Sequence, residues 1–169
     1  MKSLVITVIT ASLMLFVQSA WLSRGIILGV IPDLSLSVLL FASFLNKEGQ
    51  GMLAAFLAGL AADMLSASPL GYNAFLYTVC AYFATLLSRI AERDAFVVPF
   101  LLGTAATFIK GVLSLIIAAL FSSSVVGSRM LGVEFAVEIA ANGIGTIIMF
   151  FLLHFAEGLF VDERRKALP

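Results

Sequence analysis

Residues 51–90 read GMLAAFLAGLAADMLSASPLGYNAFLYTVCAYFATLLSRI. Two apolar runs flank a short break, Ser66-Ala67-Ser68-Pro69-Leu70-Gly71, and Pro69 with Gly71 predicts a tight turn there. A carboxylate, Asp63, stands just before the break, and an amide, Asn73, just after it. The pattern predicts a membrane helical hairpin with polar groups buried at its tip. An ionisable side chain inside a span is costly, which makes it a functional-site candidate by default.

The rest of the chain has the same character. Of 169 residues, 62% are hydrophobic and 12% are charged, and the mean hydropathy is +1.12. Soluble domains carry about 45–50% apolar and about 25% charged residues. Such a chain suits a lipid solvent, where a span needs about 20 apolar residues and its backbone must satisfy itself as helix. The long apolar runs do not alternate with polar residues, which excludes a membrane barrel. Net charge is zero, and no basic tract points to nucleic acid. One Cys, Cys80, excludes an intrachain disulfide, and one His with one Cys cannot assemble a standard zinc site. No GxxxxGK(S/T) phosphate loop is present. No metal or other cofactor is expected.

Six spans are predicted in one membrane domain, at about residues 4–22, 26–45, 51–65, 70–87, 96–121 and 133–155, the second interrupted by Pro32-Asp33. The first run is long for a secretory signal, and Lys2 alone is a weak basic lead, so it reads as a retained span. With six spans both termini share a side. That side holds Lys2, Lys47, Arg89, Arg93, Arg164, Arg165 and Lys166, against Arg24 and Arg129 on the other. The positive-inside rule then puts both termini in the cytoplasm. Residues 161–169 form a short basic tail suited to anionic headgroups or a cytoplasmic partner.

On this topology the intramembrane polar groups gather towards the outer side. Asp33, Asp63 and Asn73 lie near outer span ends, and Lys110 lies near the middle of span five. Glu134, Glu138, Asn142 and Thr146 recur every four residues in span six, which makes one polar stripe on a helix. Gly51, Ala55, Gly59 and Asp63 form a second stripe, of small residues that let two helix backbones approach closely. Thr107 and Ser114 share the face of Lys110, and Ser37 lies one turn below Asp33. Pro32 bends or starts the second helix. Gly25 and Gly29 make a lone GxxxG.

Two readings follow. In the first, Asp33, Asp63, Asn73, Lys110, Glu134, Glu138 and Asn142 line an outward polar chamber that takes a partner segment or a ligand. In the second they are interhelical ties, each stabilising by about 1 kcal/mol, with Lys110 paired to Asp63, Glu134 or Glu138. No base or metal stands near a nucleophile, so the chain does not read as an enzyme.

The stretch DMLSASPLGYNAFLY, residues 63–77, resembles the signature hairpin of MreD, the rod shape-determining membrane protein family of bacteria. The Pro32-Asp33-Leu34 element and the Asn142-Gly143 pair also match that family, as do the length and the basic tail. Carried over by position, the motif residues are Pro32, Asp33, Asp63, Pro69, Leu70, Gly71, Asn73 and Asn142. Lys110 departs from the family pattern, which more often has an apolar or acidic residue in that span. The resemblance implies a six-helix fold like that of the substrate-binding S-components of energy-coupling-factor vitamin transporters. It also implies a non-catalytic role in cell elongation, in the inner membrane, in lateral peptidoglycan synthesis. The implied partners are MreC by direct contact, and MreB, RodZ, RodA and the elongation transpeptidase in the same complex. The alternative is a vitamin-binding S-component itself. Against it, the first span holds only Ala11 and Ala20 and lacks the AxxxA element by which those components dock their coupling subunit.

Overall fold

The computed structural model describes residues 2–21, 30–46, 49–66, 68–91, 94–120 and 132–161. Within them the chain is helical: α1 (Lys2–Trp21), α2 (Leu34–Leu45), α3 (Gln50–Leu65), α4 (Tyr72–Leu87), α5 (Val97–Leu120), α6 (Val133–His154) and a short α7 (Glu157–Phe160). Helices α1, α5 and α6 are long and apolar enough to cross a membrane, whereas α2, α3 and α4 are apolar but shorter. At about 1.5 Å per residue, the 12 residues of α2 rise about 18 Å.

The second helix starts later than expected. Residues 26–29 lie outside the described residues, and residues 30–33 are not helical. The cause is local. Pro32 has no N–H and biases the residue before it away from helix. Asp33 then caps α2, its carboxylate accepting from the Leu36 N–H at 3.0 Å. The lone GxxxG pair and most of the loop cations, namely Arg24, Lys47, Arg93, Arg129, Arg164, Arg165 and Lys166, lie outside the described residues.

Helix α2 forms the axis of the bundle. Every residue from Ser35 to Leu45 is buried, as befits a helix that is apolar all round. Around it, α3 packs most extensively on α4 and α5 on α6, while α1 lies against α2 and α3. Small residues set these distances. Lipid gives helices no hydrophobic reason to associate, so van der Waals fit must do so. A Cβ on Gly59 would lie 2.6 Å from the Ala74 nitrogen, so α3 meets the backbone of α4 there. A Cβ on Gly51 would run into Ser43 of α2, and one on Gly103 would lie 2.6 Å from the Asn142 carbonyl oxygen of α6.

The bundle has two distinct ends. At one, the Phe160 carbonyl accepts from Ser3 Oγ at 2.6 Å and from Asn46 Nδ2 at 2.7 Å. Phe160 is buried edge-on against Phe41, so α7 plugs the gap beneath α1 and α2. Thr85 Oγ1 donates to the Ser43 carbonyl at the same end. The other end holds the start of α2 and the α3–α4 tip.

Candidate functional site

Asp33 lies at the head of α2, where its own cap geometry leaves one carboxylate oxygen for long-range partners. Lys110 Nζ of α5 reaches Oδ2 at 2.6 Å. Tyr77 of α4 donates its hydroxyl to the same carboxylate at 3.2–3.3 Å, and the Lys110 ammonium stands 5.6 Å from the Tyr77 ring centroid. The Asp33 N–H, unused by the helix, donates to Asn142 Oδ1 of α6 at 2.6 Å. Asn142 Nδ2 in turn donates to Thr107 Oγ1 of α5 at 3.0 Å. One turn down, the Ser37 and Thr146 hydroxyls meet at 3.1 Å, Ser37 also donating to the Asp33 carbonyl. On the α1 side, Gln18 Oε1 accepts from the Leu34 N–H at 3.1 Å. This hub therefore ties α1, α4, α5 and α6 to the first turn of the central helix.

Asp63 makes a second, separate cluster. It is buried at the end of α3 and receives a fan of donors from the start of α4. Gly71 N–H and Asn73 N–H each donate at 2.8 Å, and Asn73 Nδ2 at 2.9 Å. The Asn73 amide also donates to Ser68 Oγ at 3.0 Å. The first N–H groups of a helix have no partner within it, and a carboxylate there also meets the positive end of the helix dipole. Asp63 thus caps α4 from the preceding helix. The break has the shape this needs: Gly71 takes a left-handed φ of 95° that a side chain would resist. Leu70 stands largely exposed at the tip.

The pairing expected for Lys110 is corrected by this geometry. Its partner is Asp33, not Asp63, Glu134 or Glu138. Asp63 is saturated by its own hairpin, and the two glutamates lie on the outlying turns of α6. Glu134 is exposed and Glu138 half-buried, and neither enters the hydrogen bonds of either cluster. Of the seven expected chamber residues, Asp33, Lys110 and Asn142 come together, and Asp63 and Asn73 come together elsewhere. Among the described residues, no three His, Cys, Asp or Glu side chains gather as metal ligands would.

Sequence reasoning missed Tyr77 and Gln18. Both carried a signal. Tyr77 follows Asn73 by one turn, which puts it on the same face of α4, and Gln18 is a lone amide in an apolar span. A third tie, Tyr72 hydroxyl to Ser114 Oγ at 2.7 Å, joins α4 to α5 and also went unforeseen.

Of the eight residues on which the family resemblance rests, Asp33 and Asn142 belong to the first cluster and Asp63, Gly71 and Asn73 to the second, whereas Lys110 and Tyr77 of the hub are not among them. Residues 1–156 match the family of the rod shape-determining protein MreD. No curated protein and no solved structure is significantly similar. The chain belongs to the MreD family of rod shape-determining membrane proteins.

Proposed function

We propose that the protein is a non-catalytic scaffold of the cell-elongation complex. It binds MreC directly and, through it, joins MreB, RodZ, RodA and the elongation transpeptidase to support lateral peptidoglycan synthesis. One observation carries this reading beside the family. The buried polar groups lock helix to helix: Asp33 of α2 accepts from Lys110 of α5 and Tyr77 of α4 and donates through its N–H to Asn142 of α6, and Asp63 of α3 accepts from the start of α4. Groups held in this way fix one arrangement of helices. A rigid bundle with a defined lipid-facing surface is what a partner helix needs, since helix association in lipid depends on fit.

In this reading helices α1 to α6 all cross the inner membrane, and both termini face the cytoplasm. The short α2, α3 and α4 are completed by the capping segments at their ends. Non-helical backbone is tolerated at membrane depth when it is buried in protein. The Asp33 and Asp63 caps satisfy that condition. We take the S-component-like fold that the family resemblance implies as a matter of helix arrangement and not of transport.

Affinity capture of the tagged protein from its own cells in mild detergent tests the proposal. Recovery of MreC with the elongation synthases is the expected result. Recovery of a transmembrane coupling subunit with paired ATPases would overturn it and assign a transport role.

A further inference from the structure

The α3–α4 hairpin is the short side of the bundle. Its helices have 16 residues each and rise about 24 Å, against about 36 Å for the 24 residues of α5 and about 33 Å for the 22 of α6. The hydrogen bond from the Tyr72 hydroxyl to Ser114 fixes the register between the two sides. Tyr72 is the first residue of α4, whereas Ser114 stands six residues before the end of α5 at Leu120. Helix α5 therefore continues about 9 Å past the level of the hairpin tip. At the opposite end Arg89 stands exposed just beyond α4, where a cation belongs at the headgroups. The hydrocarbon core to be crossed from there is about 30 Å thick, more than α4 provides.

The tip also has the chemistry of contact with lipid. Met64, Leu65 and Leu70 are exposed there by 76%, 56% and 74%. Asp63 is the one charged residue of the sequence between Gly51 and Leu87, and it is buried. The polar side chains of the tip turn to one another. Ser66 bonds to Ser68, Asn73 Nδ2 donates to Ser68 and Asp63, and the Tyr72 hydroxyl donates to Ser114. In the backbone, the Gly71 and Asn73 N–H groups donate to Asp63, and the Tyr72 N–H donates to the Pro69 carbonyl. Water would satisfy such groups without help, whereas hydrocarbon offers them no partner.

We propose that the α3–α4 hairpin ends inside the outer leaflet, below the headgroups, with Met64, Leu65 and Leu70 against lipid acyl chains. The inference rests on the membrane crossing and orientation of the proposed function and not on its partners. Acyl chains are the occupant that the level selects. The tip stands beside the stretch of α5 that holds Ile116, which is itself apolar and half exposed.

Spin labelling tests this on the full-length protein in vesicles of phosphatidylethanolamine and phosphatidylglycerol. Single labels are attached at Leu70→Cys in the tip, Phe83→Cys in the body of α4 and Leu120→Cys at the end of α5, in a Cys80→Ala background. All three labelled positions are exposed, so the fold tolerates the label. Power saturation then compares collisions with oxygen, which concentrates in hydrocarbon, and with a nickel chelate, which stays in water. The expected oxygen-to-nickel ratio at 70 is several-fold above that at 120 and close to that at 83. Nickel access at 70 equal to that at 120 would put the tip in water and overturn the proposal. Access of neither reagent at 70 would show the tip covered by protein and overturn it as well. Nickel access at 83 would instead overturn the membrane crossing of α4 on which the proposed function stands.

Discussion

Asp33 and Asp63 are both buried carboxylates at the same end of the bundle, and both cap a helix, yet they draw on different parts of the chain. Asp63 takes its donors from residues 5 to 11 positions away, all within one hairpin. The Asp33 carboxylate accepts from Tyr77 and Lys110, 44 and 77 positions away, and the Asp33 N–H donates to Asn142, 109 positions away. The Asp63 cluster can form as soon as α3 and α4 pair. The Asp33 hub can form only when the whole bundle has assembled. One carboxylate makes an element, and the other holds the elements together.

The largest effect that would break this contrast is expected at Asp33. Asp33→Ala leaves Lys110 charged and largely buried without its partner, and loss of one member of such a pair costs about 3–5 kcal/mol. Thermal unfolding in detergent should show loss of the cooperative transition, with α3 and α4 still paired by disulfide trapping. Gly59→Leu comes next. It forces a side chain into the Ala74 backbone, and overpacking of this kind costs about 1–3 kcal/mol or more. Trapping between α3 and α4 should then be lost, the reverse of the Asp33 outcome.

Asp63→Ala removes the tertiary cap of α4, for which about 0.5–2 kcal/mol is expected. Hydrogen exchange should rise in the first turn of α4 and leave α5 and α6 unchanged. A cap on the other end gives the smallest effect. The Asp94 carboxyl is held below its usual range by the Val97 and Phe96 N–H groups. A lowered folded value means that its contribution is present above the unfolded value of about 3.9 and is lost as pH falls through the folded one. Exchange at the start of α5 should therefore rise on acidification below about pH 4. Asp94→Asn should remove that dependence, because an amide caps without titrating.

The same contrast explains what the sequence could and could not reveal. The Asp63 hairpin was legible because its partners are close in sequence and its turn chemistry, Pro69 and Gly71, is local. The small-residue stripe Gly51–Ala55–Gly59 was legible for the same reason, since helical spacing alone puts it on one face. The pairing of Lys110 was not legible. The sequence offered Asp63, Glu134 and Glu138 by depth in the membrane, and only the crossing of α5 against the head of α2 selects Asp33. The start of α2 was half legible. Pro32 signalled a break, but the cap that resets the helix at Leu34 depends on how Asp33 divides its two oxygens between Leu36 and Lys110.

The measurement that most directly separates a tie from a ligand site is charge removal in pairs, read in living cells. Asp33→Ala and Lys110→Met are made singly and together, and each is scored for folded protein in the membrane and for rod shape in a strain lacking its own copy. The account predicts that the single Asp33 change loses both and that the double change restores most of both, because an apolar pair can replace an ion pair whose role is structural, the remaining deficit being the lost Leu36 cap and Tyr77 acceptor. A double variant that is folded and membrane-inserted, yet leaves the cells round, would contradict it and make the hub a binding site.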